Sequence, residues 1–273
     1  MKTYLVLDCP NLLYRAFHTT GNLTNGTIFG FLKSLLFFQT AHDTRDFIFC
    51  FDHSHSLRTE VYPDYKANRT SKLDLLSNDD YELFSTFQRE ITRLRTEILY
   101  DIGYRNIFHH PGYEADDLIA SFVLNSLPAD EQAIIISSDK DLYQLLGDRV
   151  KIWKPQPKTF YDAKSLKDEY GIDSPSQWSM VKALSGCLTD NVYGIKGIGE
   201  VTAAKYVNGT LKDPCRARQK IQMNSSIWQR NLPLVKLPYE GTPVLPINKD
   251  GVSLNTWNAV VRGLGMNALV RLR

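Results

Sequence analysis

Three short runs along the chain, TYLVLD at 3–8, DFIFCFD at 46–52 and AIIISSD at 133–139, are apolar, rich in branched and aromatic residues, and of strand length. Between them the apolar positions change to a helical period, in GTIFGFLKSLLFFQTA at 26–41 and in GYEADDLIASFVLNSL at 112–127. In the second of these, Ala115, Leu118, Ile119, Phe122 and Val123 fall on one face. The order strand, helix, strand, helix, strand predicts an α/β fold with a parallel-rich sheet covered by helices on both faces. All strands of such a sheet finish at one edge, and ligands bind in the crevice beyond it.

Each of the three runs ends in aspartate, which brings Asp8, Asp52 and Asp139, with Asp141, to that edge. Right-handed crossover geometry also directs the first turn of the 112–127 helix there, with Glu114, Asp116 and Asp117. A single strand-end aspartate reads as a helix cap or turn residue, and acids in a first helical turn suit the helix dipole. Seven carboxylates together repel one another severely, so either several are protonated or metal ions sit among them. All these donors are oxygen, with no histidine or cysteine interleaved, which favours magnesium or manganese over zinc.

Composition narrows the class without naming it. The chain has 273 residues, 43% hydrophobic and 23% charged, enough for a substantial core in one large domain or two. Cys9, Cys50, Cys187 and Cys215 lie far apart with no C-x-x-C pair, so neither a zinc site nor a disulfide framework is suggested and a reducing cytoplasm fits. Asp8 interrupts the N-terminal apolar run, and IFGFLKSLLFF is short and contains Lys33, so neither secretion nor a membrane span is expected. A net charge of +2 leaves a nucleic-acid partner open. The clustering of basic residues then matters: Arg58, Lys66, Arg69 and Lys72 follow the second strand, a run that alone reads as a solvated face but beside a carboxylate edge suits phosphate, and Tyr65 within it could stack on a base. The glycines of GIKGIG at 194–199 precede a helix and leave backbone amides bare for phosphate. With the preceding SPSQWSMVKALSG segment, where Ser174 caps and Pro175 opens a helix, this reads as a helix-hairpin-helix element, the alternative being a plain tight turn.

Five blocks, LVLDCPNLLYRAFH, FDHSHSLRTEVYPDYKANR, PGYEADDLIAS, SSDKDLYQLL and LSGCLTDNVYGIKGIGEVTAAKY, together resemble the 5′ nucleases. That family comprises flap endonucleases, phage 5′ to 3′ exonucleases and the 5′ nuclease domain of bacterial DNA polymerase I. The resemblance implies a PIN-like fold and a monomeric, metal-dependent phosphodiesterase acting on DNA with a 5′ flap, a nick or a free 5′ end. It implies two magnesium ions, replaceable by manganese, one held by Asp8, Asp52, Glu114 and Asp116, the other by Asp117, Asp139, Asp141 and Asp190. It places Lys66 and Arg69 at the base of a helical arch, spanning about 66–95, against the scissile phosphate, and gives Arg15 a phosphate contact. Arg58 and Tyr65 belong to the same DNA-facing run. Gly194, Lys196, Gly197 and Gly199 correspond to the hairpin that grips duplex DNA, with a potassium ion on its carbonyls. The implied division is a nuclease core over 1–170 and a hairpin region with C-terminal segment over 171–273, in which Trp257 packs against the main body.

One position departs from the family pattern. Two aspartates three residues apart are usual where this chain has GCLTDN, with Cys187 first and Asp190 second. A soft thiolate replaces an oxygen donor poorly for magnesium, so weaker binding of the second ion is expected. Two other functions stay open on the residues alone: a DNA-binding protein with a decayed metal site, and a PIN-like ribonuclease. A haloacid-dehalogenase-like phosphatase is excluded by Pro10, where a second aspartate is required.

Overall fold

The computed structural model describes residues 2–68 and 77–271. From the N-terminus the chain forms β1 (Thr3–Asp8), α1 (Cys9–Thr20), α2 (Gly26–His42), β2 (Asp46–Cys50), α3 (Arg58–Val61), α4 (Asn78–Arg93), α5 (Leu99–Ile102), β3 (Ile107–Phe108) and α6 (Ala115–Ser121). It continues through β4 (Gln132–Ile136), β5 (Val150–Lys154), β6 (Thr159–Tyr161), α7 (Ala163–Tyr170), α8 (Trp178–Ser185), β7 (Gly186–Cys187) and β8 (Val192–Tyr193). The last helices are α9 (Glu200–Val207), α10 (Arg216–Met223), α11 (Ser225–Val235) and α12 (Leu254–Gly263).

β1 is buried from Tyr4 to Asp8, as a strand covered on both faces must be. It lies centrally in a six-stranded sheet of order β3-β2-β1-β4-β5-β6, parallel except for β6. The expected strands are thus present, with two differences. β2 stops at Cys50, so Asp52 stands two residues past the ladder, and β3, β5 and β6 extend the sheet beyond the three strands expected. The helices divide between the faces. Leu118, Ile119, Trp178 and Ala203 pack with Tyr4, Val6 and Ile135 on one side, while Leu13, Phe31, Leu35, Phe87 and Trp257 pack with Leu5, Leu7 and Phe49 on the other. No helix among the described residues is long and apolar enough to cross a membrane.

Helix α4 carries the helical half of the expected arch, and residues 69–76, including Arg69, lie outside the described residues. Ser77 caps it by accepting from the Asp80 amide at 3.2 Å. Its attachment is aromatic: Phe87 is buried, with ring centroids 4.6 Å from Phe17 and 5.0 Å from Tyr14 of α1. At α8 the entry differs from expectation. Pro175 opens a short 3₁₀ turn, and Ser174 Oγ meets Ser176 Oγ at 3.0 Å instead of capping an amide. Between α8 and α9, Gly194 lies so close to the backbone of Ser185 and Gly186 that a Cβ there would overlap it, which explains a glycine at that position.

Phe87 sets where α4 lies against α1. Phe87→Ala should cost about 3–5 kcal/mol, the usual penalty for deleting a buried aromatic ring, measured by denaturant unfolding. Amide exchange should rise first across 78–93; unchanged protection there would show that other contacts hold the helix.

Candidate active site

Asp8 ends β1 and has two duties, one for each oxygen. Oδ1 accepts from the Asn11 amide at 3.1 Å, capping α1, while Oδ2 accepts from Ser137 Oγ at 2.6 Å across the sheet edge. Asp52 accepts from the Ala115 amide at 2.8 Å and so positions the start of α6, from which Asp116 projects. Asp139 follows β4, and its Oδ1 accepts from the Asp141 amide at 2.7 Å. These four line one cleft of about 480 Å³, with Glu114, Asp190 and Lys66. Tyr14 and Phe84 also line it.

Crowding sets the protonation. Burial, with Asp139 and Asp52 nearby, raises Asp8 to about 7 against its hydrogen bonds. Burial and Asp141 raise Asp139 to about 6, and burial with Asp139, Asp8 and Asp52 lifts Asp116 well above the ordinary carboxylate range. Glu114 goes the other way. Burial opposes its charge, but Lys66 Nζ at 2.8 Å and the Arg58 guanidinium at 3.8 Å outweigh it and lower Glu114 to about 2. Lys66 also lies 3.8 Å from Asp190, and its amide donates to the Asp190 carbonyl at 2.9 Å.

Three assignments expected from the sequence are corrected. Asp117 is not in the cleft: fully buried, it receives both Arg58 Nη1 and Nη2 at 2.7 Å and the Tyr239 amide at 2.8 Å, which leaves a metal ion no access. Arg58, 2% exposed and also donating to the Leu234 carbonyl at 2.8 Å, cannot meet DNA. Tyr65 is buried with its hydroxyl on Glu114 at 3.0 Å, so it offers no ring to a base.

Among the described residues, the other expected ones lie outside the lining of the cleft, with the exception of Asp190. Asp141 is paired with Lys182 Nζ at 3.0 Å, and burial raises it while Lys182 opposes the shift. Cys187 Sγ lies 3.0 Å from Thr189 Oγ1 and 3.5 Å from Asp190 Oδ2, and burial beside Asp141 and Asp190 pushes its thiol up. Arg15 is half-buried on α1 and reaches Gln156 Oε1 at 3.5 Å, outside the cleft lining. In the hairpin, Ile195 and Ile198 are buried while Lys196, Gly197 and Gly199 are exposed, Gly197 with φ of +79°. Sequence reasoning missed Lys182, which also lies 3.4 Å from Glu200 at the start of α9; its helical spacing among apolar neighbours resembled an ordinary surface lysine.

Residues 3–171 match the family model described as the 5′-3′ exonuclease, N-terminal resolvase-like domain. The thermostable DNA polymerase I of Thermus aquaticus is 35% identical over 210 residues, covering 74% of this chain and 23% of that protein. DNA polymerase I of Mycobacterium tuberculosis is 31% identical over 218 residues, 75% of this chain and 23% of the relative. The chain thus spans about a quarter of the length of these relatives. In fold, it is similar to the 5′-exonuclease of phage T5, solved with divalent metal ions (zinc) bound, at a TM-score of 0.75 and 21% identity over 98% of this chain and 97% of that one. The catalytic core of Rad2 with a DNA substrate superposes at a TM-score of 0.57 and 16% identity, covering 98% and 91%.

The protonation pattern has a measurable consequence. Unfolded aspartates titrate near 3.9, so between about pH 4 and 7 the metal-free native state holds more protons on Asp8 and Asp139 than the unfolded chain does. Their contribution is fully present below the unfolded value and is lost as pH rises through the native values of about 6 and 7. Glu114, lowered to about 2, titrates below this window. In EDTA the melting temperature should therefore fall from pH 5 to pH 8, and magnesium should raise it more at pH 8; a magnesium shift equal at both would exclude these carboxylates as its cause. Separately, Arg58→Ala should cost about 3–5 kcal/mol in denaturant unfolding, because it strands buried Asp117. Near-normal stability with weakened DNA binding would return Arg58 to the interface.

Proposed function

With its residues 3–171 matching that model, the chain belongs to the 5′-3′ exonuclease family, and from this membership we propose that it is a structure-specific 5′ nuclease of DNA. Its substrates are DNA with a 5′ flap, a nick or a free 5′ end, cut by phosphodiester hydrolysis by a monomer in a reducing cytoplasm. The observation that carries this reading is the convergence of Asp8, Asp52, Asp116 and Asp139 with Lys66 on one cleft.

A hard divalent cation fits the first group of carboxylates. Asp8, Asp116 and Asp139 are all oxygen donors whose affinity for protons is raised by burial and by neighbouring carboxylates, and a magnesium or manganese ion relieves both. Asp8, Asp52, Asp116 and Asp139 would hold it, with Asp190 and Asp141 toward a second ion. When bound, such ions supply Lewis-acid polarisation of the phosphodiester and activation of water at neutral pH.

The chain's own residues perform the rest. Lys66, one-fifth exposed and held between Glu114 and Asp190, presents its ammonium to the cleft and stabilises charge developing on the phosphate. Arg69 shares that role on the family pattern. Tyr14, an exposed ring lining the cleft, offers a face on which an unpaired base stacks. Away from the cleft, the exposed amides of Gly197 and Gly199 with Lys196 hold the duplex backbone, and the hairpin carbonyls suit a potassium ion.

The test is incubation of 5′-labelled flap, nicked and single-stranded DNA with magnesium, with RNA and EDTA as controls. Asn at Asp8, Asp52, Asp116 or Asp139 should greatly reduce cleavage while DNA binding stays equal or tightens, since negative charge is removed. Lys66→Ala should slow cleavage by roughly ten- to a thousandfold. Cleavage of RNA alone, or near wild-type rates in two of the Asn variants, would sink the reading.

A further inference from the structure

The second group of donors does not fit the ion that suits the first. Cys187 ends β7, whose antiparallel pairing with β8 holds it beside Asp190. The donor atoms of Asp141, Cys187 and Asp190 all lie within 4.8 Å of one another, and Cys187 Sγ is 3.5 Å from Asp190 Oδ2. Zinc bonds of about 2.3 Å to sulfur and about 2.0–2.2 Å to oxygen put two ligands of a tetrahedral shell about 3.5 Å apart. Cys187 and Asp190 thus already stand at ligand spacing, and Asp141 has to close on them from at most 4.8 Å. Asp141 Oδ1 is buried without a well-directed hydrogen-bond donor, and its contact is charge to charge with Lys182 Nζ at 3.0 Å. For magnesium this is a poor shell, with one soft donor and an ammonium already in place.

We propose that Asp141, Cys187 and Asp190 form a site for a thiophilic divalent cation of the zinc class, and that its occupation stops the nuclease. On binding, the Cys187 S–H bond breaks, the proton passes to solvent, and the sulfur lone pair bonds the cation. Lys182 gives up Asp141 and keeps Glu200, already 3.4 Å away. An ion held through sulfur occupies the Asp190 wall of the cleft and excludes a hard, exchangeable one. The inhibitory half rests on the nuclease reading; the binding half does not.

Cobalt(II) titration of the metal-stripped full chain, followed by thiolate-to-cobalt charge-transfer absorption, tests the binding half. Wild type and Cys215→Ser should develop the band, zinc should abolish it, and Cys187→Ser and Cys187→Asp should lack it. Melting curves establish that the variants are folded. No band in wild type, or an undiminished band in both Cys187 variants, overturns the site. In magnesium-supported cleavage, the zinc concentration for half-inhibition should rise roughly tenfold or more in Cys187→Ser. An unchanged value overturns the regulation. A wild type that cuts nothing at any magnesium concentration defeats the nuclease reading, and the band still decides the site.

Discussion

Like-charge crowding at the C-terminal edge of the sheet is the constraint to which the rest of the structure answers. Parallel pairing of β1, β2 and β4 delivers their ends to one place, and the start of α6 arrives there too. Cations of the described residues hold part of the cluster at their shortest contacts: Arg58 takes Asp117, Lys66 takes Glu114 and Lys182 takes Asp141. Among the described residues, Asp8, Asp116 and Asp139 form no ion pair with lysine or arginine, and their affinity for protons is raised, as is that of Asp141 in spite of Lys182. Electrostatic cost left uncompensated inside the fold is thus concentrated on the wall of one cleft, where a cation from solution can relieve it.

How much of this was legible in the sequence follows from how far each inference depended on periodicity. Three of the four longer strands, and the helices at 26–41 and 112–127, came from apolar patterns that tertiary packing reinforces, whereas β5, VKIWK, alternates its apolar positions with two lysines and was missed. β3 and β6 have two and three residues, too short for any period to register. The carboxylate edge was legible because topology places strand ends without regard to side-chain direction. Direction was where the reading failed. Asp116 and Asp117 are adjacent in sequence, but a helix turns about 100° per residue, so one faces the cleft and the other faces Arg58 beneath it. A charge run such as that from Arg58 to Arg69 likewise carries no mark of which member turns inward.

The contest between helix cap and functional carboxylate also had a different resolution from the one posed. Asp8 caps α1 with one oxygen and faces Ser137 and the cluster with the other, and Asp52 anchors α6 while lining the cleft. The cap fixes the rotamer, and the fixed rotamer aims the second oxygen. Structural and chemical roles are therefore carried by the same side chain, and Asn, which keeps an acceptor oxygen, separates them better than Ala does.

A chain of charges extends this logic from the cleft to the hairpin. Asp141 holds Lys182 of α8, Lys182 approaches Glu200, and Glu200 takes Lys140 at 2.8 Å, while Glu200 is the first residue of the helix that follows GIKGIG. Ile195 and Ile198 anchor the hairpin into the same core that backs α6. The hairpin is therefore positioned by the residues that build the carboxylate edge, with no linker between them. Were a duplex gripped at Lys196, as proposed above, its placement relative to Lys66 would follow from the packing of α8 and α9, and the place of cutting would be set by that packing and not by the base sequence.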